Sequence, residues 1–244
     1  MQRIFIQSKQ LIADTITVPK DTHHHLFGVC KLTASSQLDV VVDGTRLLRC
    51  TITDITDASF NITITDQWAI NPTRSIPITL IQSLPKQDKL SEVCKQCTEV
   101  GVSNIVPVVS DYCNVTELSQ NKLTRAKKII LSASEQSKQH APPTLEPCQA
   151  LNTYLTQHPT PPSTLALVAY ENATCSLRDI HIPNNLNHIA IAVGPEGGYS
   201  ENDIACFKHA GFTPFSLGQH ILRTEHAGFA AINYVDGFLL SQTP

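Results

Sequence analysis

The spacing of apolar residues changes near residue 75, and that change divides the chain. Before it, apolar positions come in short strand-like runs. Residues 4–6 and 16–18 read as short strands. Residues 38–42 run into Asp43-Gly44 and 47–55 follow, which predicts a hairpin. Residues 59–65, Ser-Phe-Asn-Ile-Thr-Ile-Thr, alternate as a half-buried strand does. In this stretch a helical pattern occurs only around residues 22–31. Closely spaced strands with one helix predict a small β-barrel. Asn71-Pro72-Thr73-Arg74 reads as a linker.

After it, strand runs alternate with helical periods. Strands are expected at 76–82, 104–109, 164–170, 188–193 and 212–217. Helices are expected at 89–100, 122–138, 151–157, from Ser200 up to Gly211, and at 224–240. The first of these puts Leu90, Val93, Cys94, Cys97 and Val100 on one face, and Gly101 ends it. Ser200 and Asp203 stand at capping-box spacing. The three prolines of residues 157–163 mark an exposed loop. Strands alternating with helices imply a parallel sheet covered on both faces. The expected organisation is therefore a β-rich domain over 1–72 and an α/β domain over 73–244.

Composition narrows the function classes. The chain of 244 residues is long enough for one large or two modest domains. A formal net charge of −3 excludes indiscriminate electrostatic binding of nucleic acid, so any such contact needs a local basic patch. No apolar run approaches the ~20 residues that cross a bilayer. The start, Met1-Gln2-Arg3-Ile4-Phe5-Ile6, lacks a signal-peptide pattern, so a cytoplasmic protein with no membrane association is expected. The eight cysteines read as reduced thiols, and Cys94-x-x-Cys97, set in an apolar helix face, reads as core. His23-His24-His25 reads as a structural or surface cluster, and no metal is expected.

The chemistry concentrates near the C-terminus. Strand 188–193 empties into Gly194-Pro195-Glu196-Gly197-Gly198, and about twenty residues on comes Leu217-Gly218-Gln219-His220-Ile221-Leu222-Arg223-Thr224-Glu225. Glycine turns after strands expose backbone N–H and C=O groups free of side chains. In parallel α/β sheets, ligands collect at those carboxyl ends. This suits a planar polar cofactor. The turns match neither G-x-G-x-x-G nor a P-loop, so a dinucleotide or nucleoside triphosphate fits poorly.

Together these two segments resemble the signature of the RsmE family, small-subunit ribosomal RNA uridine-N3 methyltransferases of the SPOUT superfamily. Lys86-x-Asp88-Lys89, Thr98-Glu99-Val100-Gly101-Val102 with Ile105-x-Pro107, and Arg125, Lys128-Ile129 and Glu135-Gln136-Ser137 are similar to further family motifs. The likeness spans essentially the whole chain. It implies an α/β methyltransferase domain with a deep trefoil knot, preceded by a PUA-like β-barrel that binds RNA. It also implies S-adenosylmethionine as cofactor, a homodimer, and ribosomal RNA of the assembled or nearly assembled small subunit as partner. Val168, Val193, Gly194, Gly198, Leu217, Gly218, Ile221, Leu222 and Thr224 would hold the cofactor, with residues 165–170 and Glu171 as its floor.

The resemblance makes Arg223 the candidate for orienting the base or stabilising its charge, and Glu225 the candidate proton acceptor or orienting carboxylate. Arg3, Lys31, Lys86, Arg125 and Lys128 are the candidate RNA contacts. The chain departs from the family pattern at Ser91, Gln96 and Cys113, and at Lys31, Ala126 and His226. A noncatalytic RNA-binding or ribosome-assembly protein of the same fold, and a methyltransferase with another RNA target, remain alternatives.

Overall fold

The computed structural model describes residues 1–70 and 76–242. The linker at Asn71-Pro72-Thr73-Arg74, and with it the boundary between 72 and 73, lies outside the described residues. Residues 1–70 and 134–141 form one compact unit, and residues 76–133 and 142–242 the other. The sequence assigns 134–141 to the second part. Arg3 shows one reason they group with the first: its guanidinium donates to the carbonyls of Lys138 and Gln139, while Lys138 Nζ donates to Met1 O.

The first unit is a six-stranded sheet of β1 (Gln2–Ile6), β2 (Leu11–Ile12), β3 (Thr15–Thr17), β4 (Gln37–Val42), β5 (Arg46–Ile55) and β6 (Ser59–Ala69). Its order is β1-β4-β5-β6-β3-β2, with β1 parallel to β4 and the remaining pairs antiparallel. Asp43 and Gly44 both take positive φ, 50° and 66°, which is how the β4–β5 turn closes in register. The period of two has its expected result: Leu38, Val40 and Val42 face Leu48, Cys50 and Ile52 in one core with Phe60 and Ile62. The expected helix begins as α1 (Lys20–His23) and continues over His24–Val29 with wider turns, Cys30 N donating to His25 O. His23 rests on Phe27, His24 lies against Gly28, and His25 meets Cys30 Sγ at 3.4 Å. The three rings serve local packing.

The second unit is a sheet covered on both faces. Its elements are β7 (Ile78–Ser83), α2 (Lys89–Glu99), β8 (Asn104–Val109), α3 (Gln120–Gln136), β9 (Thr144–Leu145), β10 (Gln149–Ala150), α4 (Leu151–Gln157), β11 (Thr164–Ala169), β12 (His188–Val193), α5 (Glu201–His209), β13 (Thr213–Phe215) and α6 (Thr224–Gln242). All pairings are parallel, in the order β10-β8-β7-β12-β11-β13, with β9 also on β8. Alternate residues sort to opposite faces. Leu80, Ile105, Leu167 and Ile191 pack under α2, α3 and α6, and Ile81, Val106, Val168 and Ala192 pack under α4 and α5. Cys94 and Cys97 are buried on the first face, and burial pushes the Cys94 thiol up to about 12. Ser200 and Asp203 form the capping box of α5.

One strand is shorter than its apolar pattern. Residues 212–217 read as a strand, but β13 stops at Phe215. Ser216 Oγ turns the chain, donating to Gly218 O at 3.1 Å and accepting from Gly218 N at 3.2 Å. The two-residue strands β2, β9 and β10 leave no periodic signal, being too short to repeat.

Candidate active site

β11, β12 and β13 end side by side, and the segments leaving their carboxyl ends enclose a pocket of about 520 Å³. Ala169, Tyr170 and Glu171 come from β11, residues 193–199 from β12, residues 216–224 from β13, and Lys89 and Ala227 from α2 and α6. Much of the wall is bare main chain. Gly198 has φ +71°, and a Cβ there would lie 2.6 Å from Glu171 Oε1. Gly218 has φ +127° with no atom within 4 Å of its Cβ position, so its backbone faces open space.

A buried chain of hydrogen bonds ties the walls together. Thr224 Oγ1 donates to Gly194 O at 2.6 Å and accepts from Gln82 Nε2 at 3.0 Å. The same amide nitrogen donates to Ser83 O at 3.0 Å. Turning the Gln82 amide over would set its oxygen against two acceptors, so the network fixes its orientation. Among the described residues, Gln82 Oε1 is left buried without a donor. Gln82 carries no sequence signal beyond being polar on a central strand.

The charges form one bridge. Lys89 Nζ lies 3.2 Å from Glu196 Oε1 and 3.2 Å from Glu225 Oε2. The Glu225 contact is an ion pair by distance and lacks hydrogen-bond alignment, so Oε2 is buried beside a cation with no donor aimed at it among the described residues. Glu196 also accepts from the backbone N–H of Lys86 at 3.0 and 3.2 Å. Contacts with Glu225 first and Glu196 second hold the Lys89 ammonium above its ordinary range. For both carboxyls burial acts upward, but backbone N–H donors and Lys89 outweigh it and the net shift is downward, as it is for paired carboxylates generally. All three groups are therefore charged at neutral pH.

The structure brings Val193, Gly194, Gly198, Leu217, Gly218, Ile221, Leu222, Arg223 and Thr224 around this one pocket. Ile221 is 86% exposed and Leu222 lies at the rim. Arg223 is exposed, and its guanidinium makes no ion pair or hydrogen bond among the described residues. One expected cofactor contact is corrected. Val168 is fully buried against α4 and α5, because strand alternation turns it away, and Ala169, Tyr170 and Glu171 line the pocket instead. Glu225, the candidate proton acceptor, is 4% exposed and lies beside the pocket, its carboxylate against Lys89.

Of the expected RNA contacts, Lys31, Lys86, Arg125 and Lys128 are exposed, Arg125 pairing with Asp88 at 2.8 Å. Arg3 is corrected: it is 6% exposed and committed to buried Asp39 and two carbonyls, so it presents no free cation. Lys89 is the residue that sequence reasoning passed over. It stands inside Lys86-x-Asp88-Lys89, but nothing in one dimension joins it to residues 196 and 225.

Residues 72–236 match the model of an RNA methyltransferase domain. A ribosomal RNA small subunit methyltransferase E of Rickettsia conorii is 30% identical over 241 residues, covering 96% of this chain and 94% of that protein. This chain belongs to the ribosomal RNA small subunit methyltransferase E family. A second family member, from Synechocystis, is 29% identical over 98% of this chain and 78% of its own length. The crystal structure of the Neisseria gonorrhoeae member bound to S-adenosyl methionine superposes with a TM-score of 0.87 at 27% identity, covering 98% of both chains.

Proposed function

We propose that this chain is an S-adenosylmethionine-dependent methyltransferase acting on N3 of a uridine in 16S ribosomal RNA of the small subunit. The observation that carries it is the pocket of bare glycine backbone at three parallel strand ends, in a chain of this family. Its size suits a nucleoside-sized ligand. Backbone groups around Gly194, Gly198 and Gly218 can hydrogen-bond a polar ligand, while Leu217, Ile221 and Leu222 offer apolar contact to an adenine. When bound, the cofactor supplies a methyl group already activated on a sulfonium.

The protein's own residues must present the base, exclude water and help remove a weakly acidic N3 proton. Arg223, free at the rim, is suited to orient the base or its charge. Lys31, Lys86, Arg125 and Lys128 supply local positive charge for the RNA backbone, so binding should weaken steeply with salt. The target uridine must be unpaired or flipped, because pairing hides N3.

The same reading extends to a trefoil knot formed around residues 194–223, a PUA-like barrel as the first unit, and a homodimer. It places the enzyme in the cytoplasm, where small subunits assemble. Among the described residues no helix is long and apolar enough to cross a membrane. Labelled methyl transfer to naked 16S RNA and to assembled small subunits, followed by nucleoside analysis, tests the reading. A methyl anywhere but uracil N3 rejects it, as does no transfer to either substrate.

A further inference from the structure

The pocket has a polar neighbour. A hollow of about 490 Å³ is lined by Gln87, Asp88, Lys89, Glu92, Lys122 and Glu225, and Lys89 is the one residue common to both cavities. Gln87, at its edge, has φ +56°, a conformation that non-glycine residues adopt at some energetic cost. The bridge described above fixes the Lys89 ammonium at the junction. An ammonium has three donors, and the ion pairs to Glu196 and Glu225 leave it able to donate to a further acceptor. Glu225 is nearly buried, yet it lines this hollow, and its Oε2 has no aligned donor.

We propose that this hollow receives the target uracil and that Lys89 and Glu225 act together on its imide edge. The inference rests on the methyl-transfer reading. Uracil presents N3–H between two carbonyl oxygens. Lys89 donates to one of those oxygens, and Glu225 accepts from N3–H. As N3 gives its electron pair to the methyl carbon, the carbon–sulfur pair returns to sulfur and the N3 proton passes to the Glu225 carboxylate, then to solvent. Charge also argues for the occupant. The charged groups at the hollow are Asp88 just before α2, Lys89 and Glu92 on α2, Lys122 on α3 and Glu225 on α6, with Glu196 against Lys89 and His226 next to Glu225. Asp88 is paired with Arg125, and the remaining carboxylates of the lining, Glu92 and Glu225, balance the ammonium groups of Lys89 and Lys122. A lining without net positive charge offers little to a phosphate and suits a neutral base that gives up a proton.

The test uses Lys89→Met, Glu225→Gln and the double variant, with small subunits as methyl acceptor. Calorimetry with S-adenosylmethionine should show Glu225→Gln binding within about threefold of wild type, since Glu225 is not part of the pocket wall. Each single variant should lose at least about a hundredfold in kcat, and the double variant should be no worse than the weaker single one. In Lys89→Met the acid limb of kcat should move to higher pH, because Glu225 loses its cation. Profiles are repeated with His226→Asn to remove the imidazole beside Glu225. If Lys89→Met does not fold, Glu225→Gln still decides, because the acid limb should disappear. Losses that multiply, an unmoved acid limb, or cofactor affinity of Glu225→Gln falling in step with kcat would overturn this inference alone. A wild-type enzyme that methylates no uridine would overturn it together with the reading beneath it.

Discussion

Replacing Thr224 with valine removes one hydroxyl at nearly constant volume, at the point where two walls of the pocket meet. That hydroxyl donates to Gly194 O at 2.6 Å and accepts from Gln82 Nε2 at 3.0 Å. Thr224 and Gln82 are both buried, and Gln82 Oε1 already lacks a donor, so the amide has no second arrangement to adopt. Leaving a buried polar group unmade costs about 1–3 kcal/mol. Two groups are affected and Gly194 is only partly buried, so about 3 kcal/mol is lost. The added methyl returns about 0.8 kcal/mol. The net expectation is about 2 kcal/mol, together with a several-fold weaker grip on S-adenosylmethionine as Gly194 loses its anchor. Urea unfolding followed by far-ultraviolet circular dichroism suits the measurement, because the long helices lie in the second unit while the single tryptophan, Trp68, lies in the first. Thr224→Ser keeps the hydroxyl and should stay within about 1 kcal/mol of wild type. A valine variant within about 0.5 kcal/mol of wild type, or a serine variant as damaged as valine, would refute the argument.

Other substitutions probe the remaining contacts. Gly198→Ala forces an L side chain into φ +71° and sets its Cβ 2.6 Å from Glu171 Oε1, so it should cost about 1–2 kcal/mol and weaken cofactor binding about tenfold by calorimetry. The Glu171 carboxylate can swing aside, so unchanged binding would show that the backbone there does not meet the ligand. Arg223→Ala should lower turnover far more than cofactor affinity, because its guanidinium is exposed and unpaired among the described residues. Equal losses would mean that it serves the loop. Burial pushes Glu135 up from 4.5 to about 7, so the folded state holds that proton more tightly and stability falls as pH rises between those values. Glu135→Gln should remove that slope and raise stability at about pH 8. An unchanged pH dependence of unfolding would place the carboxyl in water.

Periodicity reads local structure well, and here it located the long elements of both units. The strand runs over 38–42 and 47–55 became β4 and β5, and the face of Leu90, Val93, Cys94 and Cys97 became the buried side of α2. The glycine turns were legible because positive φ and close approach leave few other choices. The shortest strands and the stop at Phe215 were not, because they depend on single hydrogen bonds such as those of Ser216.

By itself, the sequence determined which segments are strands and helices, where bare backbone would be exposed, and that the chain has the motifs of an RNA methyltransferase. Each of those is set by residues close together along the chain. Only the tertiary structure decided which side of β11 meets the pocket, so that Val168 is core while Ala169 and Tyr170 line the wall. It alone buried Arg3 against Asp39, 36 residues away, and joined Lys89 to Glu196 and Glu225. Burial and charge pairing belong to distances in space, and a side chain's chemistry is settled by the neighbours that folding brings to it.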